Sequence, residues 1–144
     1  MRLLRIPALT VLAVVVLLLL GGCAARPIHP GTANKLDSSV YDALLTTHSV
    51  IESTKGELAS GAFPPDVQPR VKAALNILIT AYNDADKLYC NPPEGASPTD
   101  SCAPTSYHAI ALQGQSTAAA DAAMQAKLNS MNSATAGLTK AKGK

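Results

Sequence analysis

The chain is poor in aromatic residues and in charge. Its 144 residues include no Trp, one Phe and four Tyr, and only 15% of them are Asp, Glu, Lys or Arg. Such a composition predicts an aliphatic core. The sequence also lacks any run of basic residues interleaved with aromatics, which is the pattern typical of nucleic-acid binding. We therefore expect no nucleic-acid partner.

Motifs for catalysis and for metal binding are missing as well. The three histidines, His29, His48 and His108, are not spaced as ligands, and neither H-x-x-x-H nor H-E-x-x-H occurs. The sequence also contains no P-loop, no dinucleotide-binding glycine pattern and no EF-hand spacing. We therefore expect no enzymatic activity, no cofactor and no metal site.

The surroundings of His108 offer the one set of residues from which a catalytic triad could be drawn. Asp100, Ser101 and Ser106 lie close to His108 in sequence. A triad is defined by geometry, however, and no G-x-S-x-G segment supports one. We therefore name no catalytic residue.

Two further polar positions have structural interpretations. Asp84 and Asp86 fall inside a helical pattern, so we interpret them as solvated, with Asp84 paired to Lys87 one turn later. His48 lies at the edge of an apolar stripe, and we expect one of its ring nitrogens to be hydrogen-bonded.

The longest hydrophobic run lies near the N-terminus. Arg2 and Arg5 precede an apolar stretch over 9–20, which reads LTVLAVVVLLLL. A bilayer core of ~30 Å requires ~20 apolar residues, so this stretch is too short to span it. A positive segment followed by a short apolar one is typical of a signal peptide. We predict that residues 1–22 are removed.

The residues that follow this stretch are Leu20, Gly21, Gly22 and Cys23. They resemble the lipobox of bacterial lipoproteins, in which small residues precede a Cys that receives diacylglycerol. The resemblance covers residues 1–23 and implies cleavage before Cys23 and acyl chains, palmitate among them, that anchor the protein to the membrane. Ala24, where an Asp would imply retention at the inner membrane, favours the outer membrane. The alternative is an ordinary secretory signal followed by a chance Cys.

Cleavage changes the charge balance of the chain. The precursor has 12 basic and 10 acidic residues, and Arg2 and Arg5 leave with the signal peptide. The mature protein therefore has a formal net charge of zero.

Two cysteines remain once Cys23 is acylated. Cys90 and Cys102 allow a single pairing, and an exported protein enters an oxidising compartment. We predict a disulfide that stabilises the fold by ~3 kcal/mol in the chain-entropy model. A metal pair and a reactive thiol are the alternatives.

The mature chain contains three helical stretches separated by breakers. The first is predicted to start at the N-cap Asn34 and to end before Gly61, with apolar residues at steps of three and four. The second has Asp66 as its predicted N-cap. Its seam consists of Val71, Leu75, Leu78, Tyr82, Ala85 and Tyr89.

The third stretch is rich in alanine and is predicted to be one helix over 106–139, capped by Thr105. At ~50 Å it exceeds the second helix, which is ~35 Å long, so its C-terminal turns are predicted to overhang or fray. Residues 91–104 are rich in Pro and Ser and are predicted to form a loop.

Together these stretches predict an all-α domain over 34–139, folded as a three-helix up-down-up bundle. A signal peptide (1–22) and a lipidated tether (23–33) precede it, and a basic tail (140–144) follows. The tail ends in Lys144, as murein lipoproteins end in Lys, but their continuous heptads are missing here.

Two functions fit these expectations. The first is a non-enzymatic scaffold in the cell envelope that contacts a protein, peptidoglycan or another copy of itself. Its expected contact surface is the third helix, whose Met side chains adapt to varied partners. The second is a carrier of a small apolar ligand or lipid, which would require an enclosed pocket of several hundred Å³.

Overall fold

The computed structural model describes residues 31–90 and 102–143. These residues form four helices and no strand: α1 (Lys35–Ala59), α2 (Gln68–Tyr89), α3 (Tyr107–Leu112) and α4 (Ala118–Ala141). The predicted all-helical class is confirmed. The lipobox, Leu20, Gly21, Gly22 and Cys23, and the signal peptide before it lie outside the described residues.

Helix α1 begins as predicted at its N-cap, Asn34. The Asn34 side chain accepts a hydrogen bond from the Asp37 backbone N–H at 2.9 Å. The helix ends before Gly61, whose φ of +71° is a conformation that glycine adopts readily. Its buried face includes polar residues that the hydrophobic pattern did not predict, and consists of Asp37, Ser38, Val40, Leu44, Thr47, Ile51 and Thr54.

Helix α2 follows the predicted seam closely. Its N-cap is Val67 rather than the predicted Asp66, and Pro69 lies in the first turn. The heptad pattern predicted that Tyr82 would be a buried seam residue, but Tyr82 is only half-buried. The neighbouring Ala81 is buried instead. A tyrosine extends past the small core at this level, so it lies at the edge of the helix interface.

The predicted third helix is wrong in one respect, because two helices occupy its place. Gly114 has a φ of +67° and breaks the chain direction after α3. The Thr117 side chain then caps α4 by accepting a hydrogen bond from the Ala120 N–H at 3.2 Å. The N-cap of α3 is Ser106 rather than the predicted Thr105. Gly114 and the Ser116-Thr117 pair two residues later thus outweigh the surrounding helix-forming alanines.

The three long helices, α1, α2 and α4, pack around one core. Met124, Met131 and Leu138 of α4 are at most 1% exposed. The predictions of an overhanging C-terminal end and of a Met-bearing contact surface are therefore wrong, since these side chains fill the core.

Two ion pairs join α4 to the other two long helices. Lys127 of α4 contacts Asp84 of α2 at 2.9 Å, so Asp84 does not form the predicted pair with Lys87. Lys142, just beyond α4, contacts Glu57 near the end of α1 at 2.7 Å. Helix α4 continues to Ala141, two residues past the predicted end of the domain.

Candidate functional site

A buried polar cluster lies at the end of the bundle where the chain enters α1. It consists of Asp37 in the first turn of α1, Tyr89 at the end of α2 and His108 in α3, and we call it the Asp37 cluster. Asp37 has no exposed surface. Its carboxylate accepts a hydrogen bond from the Ala33 N–H at 2.7 Å and lies 2.9 Å from His108 Nδ1.

The His108 Nδ1 atom lies within hydrogen-bond distance of both Asp37 carboxylate oxygens, at 2.9 and 3.1 Å. The Tyr89 hydroxyl lies 3.2 Å from the same nitrogen, and the two rings are 5.2 Å apart. Burial raises the pKa of Tyr89, and the negative charge of Asp37 raises it further. Tyr89 therefore stays neutral at physiological pH.

A carboxylate that orients an imidazole is also found in hydrolases, where the imidazole activates a nucleophile. Across residues 31–90 and 102–143, no Ser, Thr or Cys side chain hydrogen-bonds to His108, whose contacts are with Asp37 and Tyr89. The Ser106 hydroxyl instead accepts a hydrogen bond from the Ala109 N–H and caps α3. Asp100 and Ser101 lie outside the described residues. Among the described residues, the arrangement therefore ties α1 to α3 through Asp37 and His108.

The predicted disulfide lies beside this cluster and is confirmed. Cys90 and Cys102 are bonded, and their Cα atoms are 4.4 Å apart. Cys90 is 1% exposed, and its carbonyl accepts a hydrogen bond from the Ala103 N–H at 2.9 Å. The bond joins the end of α2 to the segment that leads into α3, so it holds His108 close to Tyr89.

A second polar cluster fixes the break between α3 and α4. The Tyr107 hydroxyl donates to Asp121 at 2.9 Å, and the Ser116 hydroxyl donates to the same carboxylate. Burial, followed by the hydrogen bond and charge of Asp121, raises the pKa of Tyr107 to about 12. The hydrogen bonds from Ser116 and Tyr107 lower the pKa of Asp121. Sequence reasoning missed this cluster because it assumed a continuous helix.

A small pocket opens between α1 and α2. Its volume is about 90 Å³, and its lining is mainly apolar: Tyr41, Leu44, Leu45, His48, Tyr82, Asp86 and Tyr89. The His48 ring packs 5.9 Å from that of Tyr82, and no hydrogen bond to either ring nitrogen joins it to another described residue, contrary to expectation. Burial raises the pKa of Asp86, while the charge of His48 opposes this shift.

Two features of the described residues bear on binding. No group of three or more His, Cys, Asp or Glu side chains comes together there as metal ligands. No helix in these ranges has the length and apolar content needed to cross a membrane.

No protein-family model, curated protein or solved structure matches the chain.

Proposed function

We propose that this chain is a membrane-anchored envelope lipoprotein with a non-enzymatic scaffold or protein-interaction role. In this proposal, residues 1–22 are a cleaved signal peptide, Cys23 carries the lipid, and the helical domain is a three-helix up-down-up bundle. The observation that carries it is the segment Leu20-Gly21-Gly22-Cys23 at the end of a short apolar stretch. The anchor places the protein in the cell envelope, and Ala24 favours the outer membrane.

The position of the helical domain supports a short tether. Ten residues, 24–33, separate Cys23 from the N-cap Asn34. Ten residues span at most ~35 Å, so the bundle would remain close to the lipid surface. The neighbours of such a tethered domain are membrane-associated proteins and peptidoglycan.

The disulfide supports export. Structural disulfides persist in oxidising compartments and are rare in the reducing cytosol. The Cys90–Cys102 bond lies at the tether end of the bundle, next to the Asp37 cluster. The bond and the cluster together join α1, α2 and α3 at that end, and they give a tethered domain a rigid base.

The packed interior favours a scaffold over a carrier. Leu78, Met124, Met131 and Leu138 fill the core between the long helices. Two larger hollows, of about 350 and 430 Å³, are surface grooves open to solvent. Pockets that enclose a ligand generally have a volume of ~300–1,000 Å³, and the pocket between α1 and α2, at about 90 Å³, is smaller than this. The apolar lining of the 90 Å³ pocket is the observation that favours the alternative, a carrier of a small apolar ligand.

Mass spectrometry of the protein purified from its membrane tests both parts of the proposal. We expect an intact mass that lacks residues 1–22 and includes covalent acyl chains on Cys23. A mature chain that begins elsewhere, or that carries no lipid, would refute the anchor. Organic extraction of the same sample distinguishes scaffold from carrier, because a carrier releases a stoichiometric apolar ligand that is not covalently bound.

A further inference from the structure

The face shared by α2 and α4 carries an exposed apolar side chain beside an open groove. Ile77 of α2 is 63% exposed, more than the other two exposed large hydrophobic residues of the described chain, Leu45 and Leu112. The groove beside it has a volume of about 350 Å³ and is lined by Ala74, Ile77, Ser130, Ser133, Ala134 and Gly137. Burial of Ile77 in a partner would remove this apolar surface from water.

Two charges of opposite sign flank Ile77 symmetrically. Arg70 and Asp84 are each seven residues from Ile77, which places them ~10.5 Å away along the helix axis in opposite directions. Positions seven apart differ by only ~20° around a helix, so all three residues share one side of α2.

Contacts with α4 confirm that this shared side is the groove side. The Asp84 carboxylate contacts Lys127 of α4 at 2.9 Å, and its side chain is still 56% exposed. The Arg70 guanidinium lies beside Gly143, just beyond the end of α4. Arg70, Ile77 and Asp84 therefore form a row along the edge of the groove, with the apolar residue in the middle.

We propose that this row binds a second copy of the chain, with the two α2 helices antiparallel and Ile77 at the twofold axis. Such an axis places Arg70 opposite the partner's Asp84, and it repeats the same pair on the other side of Ile77. A twofold interface uses the same patch on both copies, so the patch must complement itself. A row that reads positive, apolar, negative meets this requirement in the antiparallel arrangement, whereas a parallel one would oppose like charges.

This inference deepens the proposed function and rests on it for the location of the dimer. Two copies anchored in one membrane have a high effective concentration, which strengthens a weak contact. The tether joins each copy at the start of α1, so an antiparallel pair has its two tethers at opposite ends. Both tethers reach one bilayer if the helices lie along the membrane surface.

Photo-crosslinking of the full chain in cells tests the pairing. We expect a photo-crosslinking side chain introduced at position 77 to give a covalent dimer of this protein. The same side chain at position 112 is the matched control, because Leu112 is 55% exposed but lies on α3, and it should give no covalent dimer. Absence of the dimer at position 77, or crosslinking there to a different protein, overturns the proposal.

Charge reversal tests the antiparallel register. Arg70→Glu and Asp84→Arg, each made with the crosslinker at position 77, oppose like charges twice and should lower the dimer yield about fivefold. The double variant restores both pairs and should recover the yield. Lys127→Ala removes the cation that competes with the partner's Arg70 for Asp84, and it should not lower the yield. A double variant as low as the single ones overturns the register.

Palmitate labelling of the same cells separates this inference from the proposed function. Normal labelling without a dimer refutes the dimer and leaves the lipoprotein proposal standing. A dimer without labelling refutes the anchor and leaves the paired surface standing.

Discussion

Asp37 and His108 lie 71 residues apart in sequence, yet the His108 Nδ1 atom is 2.9 Å from the Asp37 carboxylate. Asp37 is fully buried, and the side chain of His108 is 20% exposed. The contact joins the first turn of α1 to α3, and the neighbouring disulfide holds α3 against the end of α2. The stability of this end of the bundle therefore depends on this pair.

Asp37→Asn should lower the free energy of unfolding by about 2 kcal/mol. The amide replaces the buried carboxylate that accepts the Ala33 N–H and contacts His108, and a hydrogen bond to a charged group contributes more than one to a neutral group. Urea denaturation followed by circular dichroism measures the change. Asp66→Asn, in the exposed turn before α2, is the control and should stay within about 0.5 kcal/mol of wild type. Equal stability of the two variants would show that the pair contributes little.

Substitution of both Cys90 and Cys102 by Ser should lower the free energy of unfolding by about 3 kcal/mol. Without the disulfide the unfolded chain gains conformational entropy, which favours unfolding. Reduction of wild type should have a similar effect and should raise its intact mass by two hydrogen atoms. An unchanged mass after reduction under denaturing conditions would mean that the bond does not form in the cell.

Gly114→Ala and Gly56→Ala should have opposite effects. Gly114 has a positive φ, which is strained for alanine, so we expect a loss of about 1 kcal/mol. Gly56 lies inside α1 with nothing within 4 Å of an added Cβ, so alanine should stabilise the helix by about 0.5–1 kcal/mol. Thermal unfolding measures both changes. If Gly114→Ala stabilised the protein, the result would indicate a continuous helix at this position and would contradict the observed break.

The stability of the protein should fall between pH 10 and about pH 12. The folded state holds the Tyr107 proton more tightly than the unfolded chain does, because the pKa of Tyr107 is raised from its usual value of 10 to about 12. The resulting stabilisation is complete below pH 10 and is lost as the pH rises through the folded pKa. Tyr107→Phe should show a smaller loss of stability across this range in denaturation series. An identical slope in the two proteins would rule out this contribution.

The extents of α1 and α2 could be predicted from the sequence because capping residues and apolar spacing are local signals. Asn34 and Gly61 bound α1 as predicted, and the seam from Val71 to Tyr89 is largely the buried face of α2. The break at Gly114 was missed because alanine-rich flanks favour a helix on both sides. Gly114 and the Thr117 cap favour the break locally, and the Tyr107–Asp121 contact, which is a tertiary interaction, stabilises it further.

The disulfide could also be predicted, because two cysteines allow a single pairing once Cys23 is assigned to the lipid. The Asp37 cluster could not be. An Asp in the first turn of a helix ordinarily interacts with the helix dipole at the surface, and no local signal indicates burial. Only the packing of α3 against α1 brings His108 to Asp37.

The lipid anchor is the claim on which location and function depend, and labelling with palmitate tests it most directly. Cells that express the full chain or the Cys23→Ala variant are grown with labelled palmitate, and the protein is then isolated under denaturing conditions. The account predicts label in the wild-type protein and none in the variant. Equal labelling of both proteins, or none in either, would contradict it.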